Sequence, residues 1–563
     1  MSLEPPDPQQ PSSGASLVKP PLVRLNDWTS LTPPSIGHWT PTKRVSVVLP
    51  AWGGRDLSPI MAALAAQTYP SELLEVVVVD DGNPVPVELP ELRPENSRVL
   101  RVSEGWGRAG ATQVGMDATD GEIVLWLDDD MLPFAEHVEA HARWHHLCDN
   151  LVVMGVKRFV DPHVPLTPQQ VRDAVRDGSI GQLHDWESAT PHTWIDEIWA
   201  DTADLADAGT AAFRCFVSAT ASMSRAMVDA VGPMSLDMRL GEDTEYGHRL
   251  AQAGAVLVPE HGARAWHLGN SHVMDQAEAV STYNQPAFAD RIPSVRRRRM
   301  LRGRVYEVPY LEVVVDVGGP LREVQRTVDA FLDSELSDLA VTLRGPFDQV
   351  HDERVSPLND PLRDLGVLHR RYRNEPRVRM VLPDDASLTR RPAAMFRMVV
   401  GSAGLVPLAV GPRAWVDDME RARLGLRVFV DAEGAPVARL ERVAAFARAE
   451  WSGEPFFARR PSVADSSADA LVEAAYGVAR VPALESGWVS WKRRSLPRDR
   501  RQDLTAVDRD ESWQMVLDAV AADRSTVKRR AQGEGAVARE PGPGTTPKPK
   551  DPVRGLLNRL RGH

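Results

Sequence analysis

Between residues 45 and 130, short continuous apolar runs alternate with stretches whose apolar residues recur at helical spacing. Val45-Ser46-Val47-Val48-Leu49 is the first run, β-branched and almost free of polar positions, which reads as a buried strand. Pro50-Ala51-Trp52-Gly53-Gly54 breaks it, and Leu57, Ile60, Met61 and Leu64 follow three and four apart, on one helix face. Residues 76–79 form a second strand, stopped by Asp80-Asp81-Gly82. Residues 99–102 form a third, a helix covers 110–117, and Ile123-Val124-Leu125-Trp126-Leu127 is a fourth strand running into Asp128-Asp129-Asp130. Strands apolar on both faces that alternate with helices belong in a parallel sheet covered on both sides, so the pattern predicts an α/β domain.

The same order recurs later. A strand at 313–315, Gly318-Gly319, a helix bearing Val324, Val328 and Phe331, and a strand at 339–343 predict a second α/β domain over 306–430. Its fourth strand is expected at 405–410, ending in Gly411-Pro412-Arg413 where the first copy has three aspartates, so the second copy should be inactive. Residues 431–525 are expected to be mainly helical, notably 444–449 and 512–521. Residues 276–305 read as a basic linker with Arg296-Arg297-Arg298-Arg299. The Pro-rich stretch 1–42 and the charged, Pro/Gly-rich tail 526–563 lack core-forming positions and are expected to be disordered. The tail ends in a short basic amphipathic segment, 553–561.

Composition narrows the class. At 563 residues, two to four domains are expected. A net charge of −12 excludes a general nucleic-acid binder. Two cysteines exclude a disulfide scaffold and a cysteine-built metal site, and they fit a reducing compartment. No run of about 18 apolar residues is present. A cytoplasmic protein is therefore expected, with the two basic stretches offering peripheral contact with the inner face of a membrane.

Ligands of a parallel α/β sheet bind beyond the carboxyl ends of its strands. Trp52, the pair Asp80-Asp81, the loop Gly105-Trp106-Gly107-Arg108-Ala109-Gly110 and the triplet Asp128-Asp129-Asp130 all fall there. Three adjacent carboxylates repel one another and are stable mainly around a cation, and hard oxygen ligands favour Mg²⁺ or Mn²⁺ over zinc. The glycine-rich loop before a helix suits a phosphate. Gly241-Glu242-Asp243-Thr244-Glu245 opens a further helix, with Glu245 and Arg249 paired four apart. The helix dipole is expected to keep a carboxylate in that first turn ionised, as a general base requires. His267 follows 24 residues after Asp243, with room for the chain to fold back to the metal.

In this order and spacing, residues 44–270 resemble a family 2 glycosyltransferase of the GT-A fold. The resemblance rests on Val45 to Gly53, Glu75 to Gly82, Gly121 to Asp130, Gly241 to Leu250 and His267. It implies a GT-A catalytic domain and an inverting transfer from a nucleotide-diphosphate sugar, UDP-linked by expectation; the repeat then makes the second domain a degenerate GT-A-like one. The acceptor would be a glycan, a lipid-linked sugar or a protein. Carried over by position, Pro50, Trp52, Asp80, Asp81, Arg108, Asp128 and Asp129 bind the donor. Asp128, Asp130 and His267 hold Mn²⁺ or Mg²⁺, Asp243 is the base, and Glu242 lies near the acceptor. Thr112-Gln113 stands where many members have Arg-Asn. The Gln-x-x-Arg-Trp motif and the membrane helices of processive synthases are absent, which argues against a polysaccharide synthase. A retaining transferase on the same fold and a non-catalytic nucleotide-sugar scaffold are the competing readings.

Overall fold

The computed structural model describes residues 21–296, 304–401 and 404–490. They divide into two compact units, one up to Asn270 together with Ala447–Pro455, the other made of the remainder.

The first unit runs β1 (Val45–Ala51), α1 (Ser58–Leu64), β2 (Leu74–Asp80), β3 (Ser97–Arg101), α2 (Arg108–Asp117), β4 (Ile123–Leu127), β5 (Met131–Pro133), α3 (His137–His145), β6 (Leu151–Val160), α4 (Pro168–Arg176), β7 (Thr190–Pro191), α5 (Thr193–Asp201), β8 (Thr220–Ser224), α6 (Arg225–Val231), α7 (Glu242–Gln252) and β9 (Val256–Leu268). Its strands form one sheet in the order β3-β2-β1-β4-β8-β6-β9-β5, with β7 beside β6. Strands β3, β2, β1 and β4 are mutually parallel, and β8 is antiparallel to both β4 and β6. The four strands read from the sequence are therefore present and form the parallel half expected of a GT-A domain. Val47, Val48, Leu49, Val76 to Val79 and Ile123 to Leu127 are buried, which is why these segments carry no polar face. Helix α2 lies so close to the sheet that a Cβ on Gly115 would sit 2.4 Å from Val48 Cγ1, a space only glycine leaves.

The mixed half does what short-range patterns could not show. Strand β9 runs thirteen residues, and β5 pairs antiparallel with its end, setting Met131 opposite His267. The reversal of chain direction brings His267 opposite Met131, the residue that follows Asp130, from 136 positions away.

The second unit contains α8 (His272–Arg291), β10 (Leu311–Asp316), α9 (Leu321–Leu332), β11 (Leu339–Arg344), α10 (Arg363–Tyr372), β12 (Val378–Val381), β13 (Phe396–Val400), β14 (Leu405–Pro407), α11 (Gly411–Arg421), β15 (Leu426–Val430), β16 (Pro436–Arg442), the start of α12 (Val443–Glu450), whose residues from Ala447 belong to the first unit, α13 (Ala468–Ala475), β17 (Val478–Pro482) and β18 (Trp488–Ser490). Its main sheet has the order β12-β11-β10-β13-β16-β15-β17. Strands β12, β11, β10 and β13 are parallel and β16 is antiparallel to β13. This repeats the β3-β2-β1-β4-β8 arrangement, strand for strand and sense for sense.

Four expectations change. The fourth strand of the repeat is β13, not 405–410; Leu405–Pro407 instead pairs antiparallel with β18. The fully buried Phe396-Arg397-Met398-Val399-Val400 fills that place because Arg397 is neutralised inside the sheet by Glu441 at 2.8 Å, so a charged residue stands in a core strand. The stretch from 431 is not mainly helical in its described part, because Pro436–Arg442 is a central strand whose polar residues are paired: Arg439 with Asp469 at 2.8 Å and Arg397 with Glu441. The basic linker contains helix α8. Arg296 is no membrane contact, since it is buried with both Asp338 oxygens 2.7 Å from one guanidinium nitrogen. The segments 1–20, 512–521 and 553–561 lie outside the described residues.

Candidate active site

The carboxyl ends of β1, β2 and β4 and the start of α7 converge on one acidic cluster. Asp128 leaves β4 and accepts from Arg108 Nε at 2.9 Å. Asp129 accepts from the Trp52 backbone N–H at 3.2 Å and faces Arg55 Nε at 3.3 Å. Asp130 faces another Arg55 nitrogen at 3.2 Å and His267 Nε2 at 3.5 Å. One oxygen of Asp130 is buried with no hydrogen-bond donor on it. An oxygen each from Asp128 and Asp130 and a nitrogen of His267 lie within 4.8 Å of one another. His267 Nδ1 donates to the Gly269 carbonyl at 3.0 Å, which leaves the Nε2 lone pair turned to Asp130. Two carboxylates, a free imidazole nitrogen and an orphaned buried oxygen form a donor set that fits a divalent cation.

Crowding shows in the titration of the group. Burial and the charge of Asp130 push Asp129 up to about 7, against Arg55 and the Trp52 N–H. Burial also raises Asp130, opposed by His267, and lowers His267, opposed by Asp130. Burial is the largest cause of all three shifts, and each moves its group toward the neutral form.

Helix α7 brings the second pair. Gly241 takes φ +73° to turn the chain into it. Asp243 is held by the Thr244 N–H at 2.7 Å and by the Ser218 N–H. Glu242 is buried, 3.5 Å from Arg108. Burial and Asp243 push Glu242 up to about 7, and burial raises Asp243 despite Arg108. The helix dipole alone therefore does not set the charge of Asp243, because desolvation works against it. Glu245 and Arg249 pair as the spacing predicts, at 2.8 and 3.0 Å.

The remaining sequence candidates have distinct positions. Trp52 is 58% exposed at the end of β1, free to meet a planar ligand, and Pro50 is half-buried on β1. Asp80 is turned inward. Burial alone would raise its pKa, but the Asn83 N–H groups at 2.8 Å outweigh it and hold the carboxyl below its usual value. Asp81 accepts from the Gly107 N–H at 2.8 and 2.9 Å and so fixes the glycine-rich loop at the start of α2. Arg108 spans the site, bonding Asp128 and the Ser218 hydroxyl; burial would lower its pKa, but Asp128, Glu242 and Asp243 raise it.

Three groups escaped the sequence reading. Arg55 lies three residues past Trp52 in a loop with no periodicity. Ser218 acts partly through its backbone, which no residue type announces. Lys157 sits on β6 beside Arg158, and nothing in that pair of cations shows that the first is the buried one. Burial pushes it down to about 8, while Asp128, Asp196, Asp243 and Asp130 hold it up.

The model of the family "Glycosyl transferase family 2" matches residues 46–218, the stretch that supplies every candidate except Glu242, Asp243 and His267. The chain carries a family 2 glycosyl transferase domain. Beyond that domain, a chondroitin synthase of Pasteurella multocida (strain Pm70) is 24% identical over 397 residues, covering 65% of this chain and 39% of that protein. A hyaluronan synthase of Pasteurella multocida is 22% identical over 347 residues, covering 58% of this chain and 34% of that protein. The chain thus spans well under half the length of these two relatives. A solved mannosyltransferase from Pyrobaculum calidifontis, in complex with GDP-Man and Mn²⁺, matches 45% of this chain and 66% of its own at 18% identity, with a TM-score of 0.29. At that score the superposition carries no weight beside the strand order.

Proposed function

We propose that the transferase domain moves a sugar from a nucleotide-diphosphate donor, UDP-linked, to a hydroxyl of a glycan acceptor, with inversion and with a divalent cation. The observation that carries this reading is the cluster of Asp128, Asp130 and His267 at the end of the parallel sheet, beside the Glu242-Asp243 pair at the start of α7. Asp128, Asp130 and His267 would hold the cation, and a mixed oxygen and imidazole set suits Mn²⁺ better than Mg²⁺. When bound, the ion supplies positive charge to a leaving diphosphate.

The chain's own residues do the rest. Arg108 sits between Asp128 and Glu242 and adds a fixed cation beside the departing charge. Trp52 offers its exposed face to the base. Asp81 fixes the glycine-rich loop at the start of α2 through the Gly107 N–H. Asp243 accepts the proton of the attacking hydroxyl; its raised affinity for a proton suits a base working near neutrality. Holding donor and acceptor in line supplies the remaining rate enhancement. A single carboxylate base opposite the leaving group favours inversion. A panel of nucleotide sugars with Mn²⁺, scored for donor hydrolysis and repeated in excess chelator, tests the reading. Full turnover with chelator would overturn metal dependence, and absence of turnover with every donor would overturn the transferase.

A further inference from the structure

Two tryptophans differ from the rest by their exposure. Trp52 is 58% and Trp106 61% exposed, whereas every other tryptophan among the described residues is buried or half-buried. A ring of that size left in water is apolar surface available to a flat partner. Both rings flank Asp81. The Asp81 N–H donates at 3.1 Å to the carbonyl of Ala51, the residue before Trp52. The Asp81 carboxylate accepts at 2.8 and 2.9 Å from the N–H of Gly107, the residue after Trp106. Trp52 follows β1, the loop bearing Trp106 follows β3, and β2 with its terminal aspartates lies between them. Strands two places apart are separated by about 10 Å, and a planar ring held between two others needs about 7–8 Å.

Trp106 is also held in place. The Arg239 guanidinium lies 4.5 Å from its ring centre and donates to its backbone carbonyl. Gly107 leaves room for that arginine: it takes φ +95°, and a Cβ there would come 3.4 Å from Arg239 Cδ. The loop that carries Arg239, between α6 and α7, is tied down in turn. Its Met234 N–H donates to the Gln113 side chain at 2.8 Å and its Ser235 hydroxyl to Glu245 at 3.0 Å. The charge of Arg239 reaches Asp81 through space rather than through an ion pair. One face of Trp106 is therefore covered by a cation, and the other is open. A ring fixed before its ligand arrives loses little freedom on binding.

We propose that Trp106 is the second plate of a clamp for the donor's nucleobase, closing over Asp81 from the side opposite Trp52, and that Arg239 is a positioning residue that holds Trp106 for that stack. The clamp rests on the donor reading above for the identity of its ligand. It adds a residue and a consequence: both faces of the base leave water, so affinity for the donor depends on its base as well as on its diphosphate.

Titration calorimetry of the full chain with Mn²⁺ tests this, with UDP and with pyrophosphate, which carries a diphosphate but no base. Trp106→Ala should weaken UDP roughly 5- to 100-fold, the range for loss of one base–aromatic stack, and leave pyrophosphate unchanged. Trp106→Phe, which keeps a ring, should recover most of the affinity. Arg239→Gln should weaken UDP by a smaller factor and again spare pyrophosphate. Thermal melts report whether each variant is folded. Unchanged UDP affinity in Trp106→Ala, or an equal loss for UDP and pyrophosphate, would overturn the clamp and leave the donor reading in place. ADP and GDP are titrated beside UDP on the unaltered protein, and binding of none of the three would overturn both. Hydrolysis of nucleotide sugars is scored in parallel on the unaltered protein. A base-dependent loss in Trp106→Ala without hydrolysis of any nucleotide sugar would retire the transferase and keep the clamp.

Discussion

At the scale of single residues, Asp130 and Asp243 carry opposite expectations. Asp130 is half-buried, one of its oxygens is buried without a donor, and burial raises its proton affinity against His267 and Arg55. Asp130→Asn removes a charge the fold disfavours, so the melting temperature should stay level or rise. Turnover should fall by roughly 10²-fold or more, because several kcal/mol of leaving-group stabilisation depend on the ligand set. Equilibrium binding of Mn²⁺ should weaken in parallel, and unchanged Mn²⁺ affinity in a folded variant would remove Asp130 from the site. Asp243→Asn should lower kcat by about 10²–10⁴, the range for a positioned proton acceptor, and leave donor affinity nearly constant. The measurement is kcat against donor Kd, and a loss confined to Kd would make Asp243 a scaffold for the Ser218 turn instead.

At the scale of elements, helix α3 shows a linkage that no motif announces. His137, His141 and His145 lie one turn apart on its buried face, against β8. Their protons can be assigned from the bonds. His137 Nδ1 donates to the Arg264 carbonyl, so its Nε2 accepts from the Thr220 hydroxyl. Thr220 then accepts from His141 Nε2, His141 Nδ1 accepts from Ser222, and Ser222 accepts from His145 Nε2. Every ring is neutral, and a second proton on His137 or His141 breaks a link of the chain. Burial pushes His137 down to about 4 and His145 to about 3. Unfolded histidines titrate near 6.5, so the unfolded chain binds more protons below that value. The contribution is therefore complete above pH 6.5 and is lost as pH falls toward 4, about 2 kcal/mol for His137 by pH 5. The raised carboxyls Asp129 and Glu242 act in the opposite sense, so the difference between proteins is the quantity to read. Melting temperature from pH 8 to pH 5 should fall less steeply in His137→Gln than in the unaltered chain, and parallel curves would show that His137 does not set the slope. The same helix marks where sequence reading stops. Strands β1, β2 and β4 were legible because burial on both faces leaves an unbroken apolar run. The aspartates were legible because they end those runs. For His267 the spacing from Asp243 and the resemblance suggested a return to the metal, but what sets it beside Asp130 is the antiparallel pairing of β5 with β9, a long-range register. Strand β16 was read as part of a helical region because its buried arginines hide the apolar signal, and Asp80 looked like a ligand because nothing local shows that Asn83 consumes it.

At the scale of the whole chain, the repeat decides how many sites there are. Register equates the two sheets residue by residue. Val45 of β1 pairs with Ile123 and Leu74, and Leu311 of β10 pairs with Phe396 and Leu339. Counting along from those pairs, Asp80 corresponds to Gly345 and Asp81 to Pro346. Asp128 corresponds to Gly401, and the sequence goes on with Ser402-Ala403, outside the described residues, where the first copy has two more aspartates. The second sheet ends instead in Asp316 and Arg344, which are bonded to each other and so cancel. No group of acidic and histidine side chains among the described residues of that unit resembles a metal site. A carboxylate cluster is what gives such a sheet end its affinity for a cation and, through it, for a diphosphate. The second unit should therefore bind neither. Equilibrium dialysis with Mn²⁺ and UDP should find one nucleotide and one tightly held ion per chain, and Asp130→Asn should weaken both together. A stoichiometry of two, or one site of unaltered affinity in Asp130→Asn, would mean that the second sheet holds a working site built from residues other than the acidic pair and triplet it has lost.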